Sequence, residues 1–188
     1  MAESPDLVDL LVRASATFGE QVAAIPGDEW DLPTPCQDWD IKALVAHVVF
    51  GDAQLPDLVA GRDIGAVELD VRILGPNPMS TWRGTALRAI EAARATSLDM
   101  RVRHPIGDLS FARVLGFRIS DNAVHAWDLA TARSDVFTIP DDIAAWCLDF
   151  WLPMADGLSE SGFFAAMGEP TDDSPGSRLL ALLGRGQV

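Results

Sequence analysis

Apolar residues recur at three- and four-residue intervals through most of the chain, and proline and glycine separate the segments that carry this spacing. Between Asp6 and Ala24 the repeat is made of leucine, valine, alanine and phenylalanine, and Pro26 and Gly27 end it. This spacing is typical of a helix with one buried side, whereas proline and glycine are typical of breaks between helices. The pattern therefore predicts several amphipathic helices joined by short connections.

The same spacing predicts further helices, and no segment shows the strict alternation of a β-strand. The predicted helices span residues 6–24, about 40–51, about 81–98, about 110–133, 141–154 and 177–183. Pro56 is expected to break a continuation of the second helix, and residues 62–78 to form a loop. Helices of this kind pack as an all-α bundle, and 188 residues fit one domain. We expect the bundle in residues 1–155 and a C-terminal extension, residues 156–188, that packs on the same domain.

Three side chains on two of the predicted helices have the chemistry of metal ligands. Asp121 and His125 lie one helical turn apart, about 5–6 Å between Cβ atoms, and His47 lies in an apolar run of the second helix. Singly, each has an ordinary interpretation, such as a hydrogen-bonded core histidine. Buried together without a cation, they would leave costly unpaired polar groups. The combination therefore predicts a divalent metal site with a position left open for water or substrate, as in catalytic sites.

One further carboxylate is a candidate for a supporting role. Asp128 lies about two turns beyond Asp121 on the same helix, and it could be a fourth ligand, an acceptor for a histidine N–H, or a solvated acid. We favour the latter two interpretations. Cys36 and Cys147 show no spacing typical of a zinc site or a disulfide framework, so we interpret both as reduced, packed thiols. Zinc is the default metal for this ligand set, and nickel, iron or manganese would fit nearly as well.

The net charge of the chain limits the partners that we expect, and its N-terminal sequence limits the expected location. A formal net charge of −14 disfavours nucleic acids and anionic membranes, because both would be repelled. The N-terminus lacks the basic start and apolar run of a secretory signal, and no stretch is long and apolar enough to cross a membrane. We therefore expect a cytoplasmic protein, a monomer or homodimer, that acts on small molecules.

Two motifs resemble one known family over almost the whole chain. They are Pro33-Thr-Pro35-Cys36-x-Asp38-Trp39-Asp40-x-x-x-Leu44-Val45-Ala46-His47 and Asp121-x-x-Val124-His125-x-Trp127-Asp128-Leu129-Ala130. They are similar to the metal-binding domain of the mycothiol-dependent maleylpyruvate isomerases, actinobacterial members of the DinB-like superfamily. The resemblance implies a DinB-like four-helix bundle, here with additional short C-terminal helices.

By position, the family's metal triad corresponds to His47, Asp121 and His125. The isomerase carries Glu where this chain has Asp121, and it has a second, C-terminal domain where this chain has a short tail. The resemblance implies that mycothiol, a low-molecular-weight thiol, would be the cosubstrate. A metal-bound thiolate would then add to a small electrophile, giving S-transfer or, after addition and elimination, isomerisation. Asp128 would orient a ligand imidazole, and His104 would donate or accept a proton unless it is an exposed loop histidine.

Other functions on the same scaffold stay open. The bundle could bind a metal or small ligand without chemistry, although bacterial regulators of that kind typically rely on cysteine ligands. A metal-bound hydroxide would make the protein a hydrolase. An enzyme of this fold could also serve a biosynthetic reaction, even without its metal, because fold does not fix function.

Overall fold

The computed structural model describes residues 6–64, 69–158 and 165–185, and four long helices dominate it. They are α1 (Leu7–Ala23), α2 (Ile41–Val59), α3 (Pro78–Arg94) and α4 (Phe111–Ala132). Helix α1 packs against α3 and α4, and α2 packs against the same two helices. This arrangement is a four-helix bundle, so the predicted all-α class is confirmed.

The ends of these helices are fixed by side chains that the sequence places beside them. Asp40 accepts a hydrogen bond from the backbone N–H of Ala43 at 2.7 Å, and Ser110 caps α4 in the same way. Helix α3 begins at Pro78 with Asn77 as its cap, earlier than predicted, because proline suits the first helical position. It also ends earlier than predicted, at Arg94.

Helix α2 continues through Pro56 instead of breaking there. Pro56 lies in the last turn, where its missing N–H removes a single hydrogen bond, and the turn closes through Ala60 N–H to the Pro56 carbonyl at 3.2 Å. Leu55 and Leu58 on either side are buried in the core. Their burial holds the turn on the bundle, which explains why the prediction of a break was wrong.

A small β-hairpin precedes α4, and the sequence pattern did not predict it. Strand β1 (Arg101–His104) pairs antiparallel with β2 (Gly107–Ser110), so that Arg101 lies opposite Ser110. Each strand has only four residues, too few to show alternation, and Val102 is the buried residue of β1. The hairpin leads directly into α4, and the N–H of Phe111 in the first turn of α4 donates to the carbonyl of Met100, just before β1, at 2.8 Å.

The C-terminal part of the chain adds short helices to the bundle. Helix α5 (Asp141–Trp151) packs on α4, and α7 (Pro175–Leu182) packs on α5. A 3₁₀ turn and the single-turn helix α6 (Ala155–Leu158) follow α5. Residues 159–164 and 186–188 of the expected extension lie outside the described residues, so the division at residue 155 stays a prediction. None of the helices in the described ranges is long and apolar enough for a membrane span.

Candidate metal centre

Side chains from α2 and α4 meet inside the bundle at the position predicted for a metal. One donor atom each from His47, Asp121 and His125 lies within 4.8 Å of the other two. The Nε2 atom of His47 is 3.5 Å from Oδ2 of Asp121, and the two imidazole centroids are 5.2 Å apart. Ligands of a tetrahedral zinc ion with bonds of about 2.0–2.1 Å are separated by roughly 3.4 Å. The donor set therefore suits a divalent ion, while its role as a ligand set stays a prediction.

The three side chains differ in their access to solvent. His125 is buried, with 6% of its surface exposed, whereas the side chains of His47 and Asp121 are 32% and 28% exposed. The cluster is thus closed on the His125 side and open on the other. A small molecule could reach it from the open side.

Trp39 lies over both imidazoles. Its ring centroid is 4.8 Å from that of His47 and 6.2 Å from that of His125. The loop that carries it is ordered by hydrogen bonds from the backbone N–H and the hydroxyl of Thr34 to the Trp39 carbonyl, at 3.0 and 2.9 Å. Asp38 adopts φ 65°, a conformation that aspartate tolerates, and thereby closes the loop before α2. Trp39 therefore forms one wall of the candidate site.

Asp128 contacts the buried imidazole of His125 at Nδ1. Its Oδ2 atom is 2.8 Å from Nδ1 of His125. An ionised carboxylate can only accept, so Nδ1 carries the proton and Nε2 is left for a metal. This is the geometry expected of an acceptor that orients a ligand imidazole.

Cys36 and Arg185 complete the surroundings of Asp128. The Nη2 atom of Arg185 donates to Oδ2 of Asp128 at 2.9 Å and lies 3.3 Å from Sγ of Cys36. The thiol of Cys36 donates to the same carboxylate oxygen at 3.3 Å. Cys36, His125 and Asp128 thus form a second group of close donor atoms that shares His125 with the triad.

Arg118 holds the carboxylate of Asp121, a member of the triad, by a hydrogen bond. Its Nη1 atom donates to Oδ2 of Asp121 at 2.6 Å, its Nε to Oδ1 of Asp52 at 3.0 Å, and its Nη2 to the carbonyl of Val48 at 3.0 Å. Both Arg118 and Asp52 are buried. A charged chain of hydrogen bonds therefore runs from α2 through Arg118 to the carboxylate of Asp121.

These contacts shift the pKa values of the buried groups. Burial acts to raise the pKa of Asp121, but the charge of Arg118 and the hydrogen bond with His47 outweigh it and hold the pKa below its ordinary value. Burial lowers the pKa of His125 despite the opposing effect of Asp128. A neutral imidazole and an ionised carboxylate are the forms in which these side chains bind metals.

The pKa values of Asp128 and Cys36 move in opposite directions. Burial acts to raise the pKa of Asp128, but the charge of Arg185 and the hydrogen bond from His125 lower it to about 2. Burial, together with the charge of Asp128, raises the pKa of Cys36 to about 12. Cys36 is therefore a neutral thiol here, which agrees with its interpretation as a packed, unreactive cysteine.

His104, the predicted proton donor or acceptor, lies at the end of β1 and is half-buried. Its ring packs 6.2 Å from that of Phe117, and its Nδ1 accepts a hydrogen bond from the N–H of Ile106 at 3.4 Å. Burial and the charge of Arg118 lower its pKa. Among the described residues, the groups of donor atoms within 4.8 Å of one another include the triad but not His104. Its catalytic role therefore stays a prediction.

Three supporting residues of the candidate site were not predicted from the sequence. Arg118 lies three residues before Asp121, so the helical spacing that paired Asp121 with His125 could have identified it. Asp52 lies two turns beyond Val45 among apolar residues, a signal that a buried charge partner exists. For Arg185, in the C-terminal segment, the sequence holds no signal that links it to α4.

Comparison with known proteins places this geometry in a family. The model of the mycothiol maleylpyruvate isomerase N-terminal domain matches residues 11–130. The chain belongs to this family. The matched range contains His47, Asp121 and His125, and it ends before α5, α7 and Arg185. The suspected family is therefore confirmed, while the residues that surround the triad from the C-terminal side lie beyond the match.

Similar proteins extend over most of the chain. Two uncharacterized proteins from Mycobacterium tuberculosis, strains CDC 1551 / Oshkosh and ATCC 25618 / H37Rv, are each 27% identical over 181 residues, 92% of this chain and 94% of theirs. Crystal structures of the mycothiol-dependent maleylpyruvate isomerase and of a histidine-to-alanine mutant match with TM-scores of 0.64 and 0.66, at 18% and 16% identity. Each match covers 89% of this chain and 76% of the isomerase. The structural likeness confirms the DinB-like fold.

Proposed function

We propose that this protein is a metal-dependent enzyme that activates mycothiol and joins its sulfur to a small electrophilic substrate, by S-transfer or by addition and isomerisation. The observation that carries the proposal is the convergence of His47, Asp121 and His125 within 4.8 Å, in a chain of the mycothiol maleylpyruvate isomerase family. Membership of this family supports mycothiol as the thiol, and a metal held by these three residues would activate it.

His47, Asp121 and His125 would hold the ion, with zinc the first choice and nickel, iron or manganese as alternatives. When bound, a divalent cation favours the thiolate form of a thiol in its open position. The donor types fit this role because two imidazoles and one carboxylate leave coordination positions vacant. The open side of the cluster, next to His47 and Asp121, is where the thiol and its substrate would enter.

The remaining residues would orient, cover and transfer protons. Asp128 keeps the proton of His125 on Nδ1, and Trp39 covers the two imidazoles. The mycothiol sulfur would form a bond to an electrophilic carbon of the substrate. In S-transfer a leaving group departs with the electron pair of its broken bond, whereas in isomerisation the new C–S bond breaks again after rotation and the thiol is regenerated. His104 would accept or return the proton in either case.

The strong negative charge limits the partners that this site would meet. With a formal net charge of −14, small molecules are more suitable partners than nucleic acids or anionic membranes. The protein would act on these small molecules in the cytoplasm.

Metal analysis of purified variants, with calorimetric titration of mycothiol, tests the proposal. The wild-type protein should carry one metal ion and bind mycothiol, and His47→Ala and His125→Ala should lose both properties. His104→Ala is the matched control, since it removes the third histidine of the chain and should retain metal and thiol binding. Stoichiometric metal in either triad variant would refute the ligand set. Mycothiol binding that is equally strong without metal would refute the proposed thiol activation.

A further inference from the structure

We infer that Arg185, in the C-terminal segment, is a positioning residue for the candidate metal centre. Its guanidinium holds Asp128 against Nδ1 of His125 and takes the place of a cation beside Cys36, so that His125 serves the triad alone. This inference rests on the proposed function, because it concerns the same metal centre. It deepens that proposal by giving the C-terminal segment a defined part in it.

The contact between Arg185 and Asp128 is a buried, two-point ion pair. Nη2 of Arg185 lies 2.9 Å from Oδ2 of Asp128, and Nε lies 3.3 Å from Oδ1. The side chain of Arg185 is 11% exposed, and that of Asp128 is fully buried. Bidentate pairs of this kind fix the plane of the carboxylate as well as its charge. The orientation of Asp128, and through it that of His125, therefore depends on Arg185.

The orientation of Asp128 is important because the thiol of Cys36 lies next to its carboxylate. Sγ of Cys36 lies 3.3 Å from Oδ2 of Asp128 and 3.9 Å from Nδ1 of His125, and Oδ2 is 2.8 Å from Nδ1. The two sulfur distances are close to those around a tetrahedral cation bound by sulfur, nitrogen and oxygen, and the 2.8 Å pair would have to widen to accept one. Such an ion would bind Nδ1 of His125. It would thereby break the hydrogen bond between Nδ1 and Asp128, the contact that leaves Nε2 free for the triad.

Arg185 places a permanent positive charge at this second donor set. Its Nη2 atom is within 3.3 Å of both Sγ of Cys36 and Oδ2 of Asp128, so the guanidinium satisfies these two groups. A second cation would have to displace the arginine and overcome the repulsion between like charges. The guanidinium thereby keeps the soft sulfur ligand out of metal binding.

The way in which helix α7 ends fixes the position of Arg185. At the end of α7 the N–H of Gly184 donates to the Ala181 carbonyl at 3.1 Å, and the N–H of Arg185 donates to the Leu180 carbonyl at 2.8 Å. These two bonds, with Gly184 at φ 74°, form a Schellman motif. Leu179 and Leu183 of the same segment are buried. The position of Arg185 is thus fixed by the packing of α7 and by the turn that follows it.

Cobalt(II) substitution tests the inference, because a thiolate bound to Co²⁺ gives a charge-transfer band in the near ultraviolet. The wild-type protein should bind one Co²⁺ without this band. Arg185→Met should bind Zn²⁺ at the triad about 10–100-fold more weakly, the range seen when an outer partner of a metal ligand is lost. It should also take up a second Co²⁺ with the band, releasing the thiol proton of Cys36 and the Nδ1 proton of His125 to solvent. The band should vanish in the double variant Arg185→Met, Cys36→Ser.

Two further variants separate positioning from general destabilisation. Arg185→Lys keeps the charge but not the two-point contact, so it should bind a single Co²⁺ with intermediate affinity. Arg133→Met removes another buried arginine, which bonds to Gln21 and Asp135 away from the triad, and should leave the metal affinity unchanged. An equal loss in Arg133→Met would overturn the inference.

The outcomes for the wild type and for Arg185→Met distinguish this inference from the proposed function. Failure of the wild type to bind Co²⁺ or Zn²⁺ would overturn the proposed metal centre and the inference together. Normal binding by the wild type, with unchanged affinity and spectrum in Arg185→Met, would overturn the inference alone.

Discussion

Nη1 of Arg118 lies 2.6 Å from Oδ2 of Asp121, the same oxygen that faces Nε2 of His47 at 3.5 Å. The guanidinium is held from two other directions by Asp52 and by the carbonyl of Val48. Because both neighbours belong to α2, the arginine of α4 ties the two helices together at the level of the candidate metal. The direction in which Asp121 presents its carboxylate is therefore set by a buried charge network.

Removing Arg118 should weaken both the fold and the metal site. Arg118→Met leaves Asp52 and Asp121 without their cation, and breaking a buried ion pair from one side typically costs about 3–5 kcal/mol of unfolding free energy. Metal affinity should fall by about 10–100-fold, because Asp121 loses its outer partner. Urea denaturation and zinc competition with a chelator measure the two effects.

A surface arginine is the control for this substitution. Arg13 pairs with Asp142 at 2.7 Å, but both side chains are largely exposed. Arg13→Met should cost less than about 1 kcal/mol and leave metal affinity as it is. Equal losses in the two variants would show that the buried network has no special part in the site.

Metal binding should raise the stability of the whole domain. A ligand that binds only the folded state at 100 times its dissociation constant adds about 2.7 kcal/mol to the unfolding free energy. Zinc added to chelator-treated wild type should therefore raise the melting temperature, and further chelator should reverse the rise. His125→Ala should show no such response. A zinc-dependent rise of equal size in that variant would mean that the ion binds elsewhere.

The ion pair of Asp128 should make stability depend on acid pH. The pKa of Asp128 in the folded protein is about 2, against an ordinary value of 3.8. Because the folded-state pKa is depressed, this stabilisation is present above about pH 4 and is lost as the pH falls through about 2. The difference corresponds to about 2 kcal/mol.

Denaturation at pH 7 and at about pH 3 measures roughly half of this contribution, because pH 3 lies between the two pKa values. Asp128→Asn has no carboxyl to protonate at this position, so its stability should fall less steeply with acid than that of the wild type. Parallel pH profiles for the two proteins would contradict a depressed pKa at Asp128.

His104 gives a test of chemistry as distinct from metal binding. If His104 transfers a proton in the reaction, His104→Gln should lower turnover by about 10²–10⁴-fold while metal content and mycothiol affinity stay at wild-type levels. Rates with an electrophile and mycothiol, measured beside metal analysis, provide the comparison. Unchanged turnover would assign His104 to the hairpin and its contact with Phe117.

The sequence predicted the bundle and the pairing of Asp121 with His125 because both depend on local periodicity. Placing His47 with this pair rested on the cost of burying unpaired polar groups and on the resemblance to the family. In the structure α1 packs mainly on α4 and α2 mainly on α3, and this packing buries the apolar sides of the helices.

The surroundings of the triad could not be predicted in the same way. Arg185 reaches Asp128 across 57 residues, and Arg118 reaches Asp52 across 66. Such contacts depend on how helices pack and where a loop returns the chain, which a linear pattern does not encode. The hairpin before α4 was not predicted because its strands are too short to show alternation of apolar and polar residues.

The position of the Arg118 side chain should require glycine at position 51. It lies in α2 where the guanidinium crosses, and a Cβ atom built at position 51 would overlap Nη1 and Cζ of Arg118. The guanidinium cannot easily move aside, because Asp52, Asp121 and the Val48 carbonyl hold it. Overpacking of this kind costs about 1–3 kcal/mol. Gly51→Ala should therefore lower the unfolding free energy and weaken zinc binding, even though alanine favours helix.

Gly84 provides a matched comparison within α3. A Cβ atom at position 84 would lie 3.5 Å from Nη1 of Arg88, an ordinary contact. Gly84→Ala should therefore stabilise the protein by about 0.5–1 kcal/mol, the usual gain of alanine over glycine in a helix, and leave zinc affinity unchanged. Urea denaturation and chelator competition on both variants measure these opposite shifts. A stabilising effect of Gly51→Ala similar to that of Gly84→Ala would mean that Arg118 is free to move, and that Asp121 is not held in the way the charge network implies.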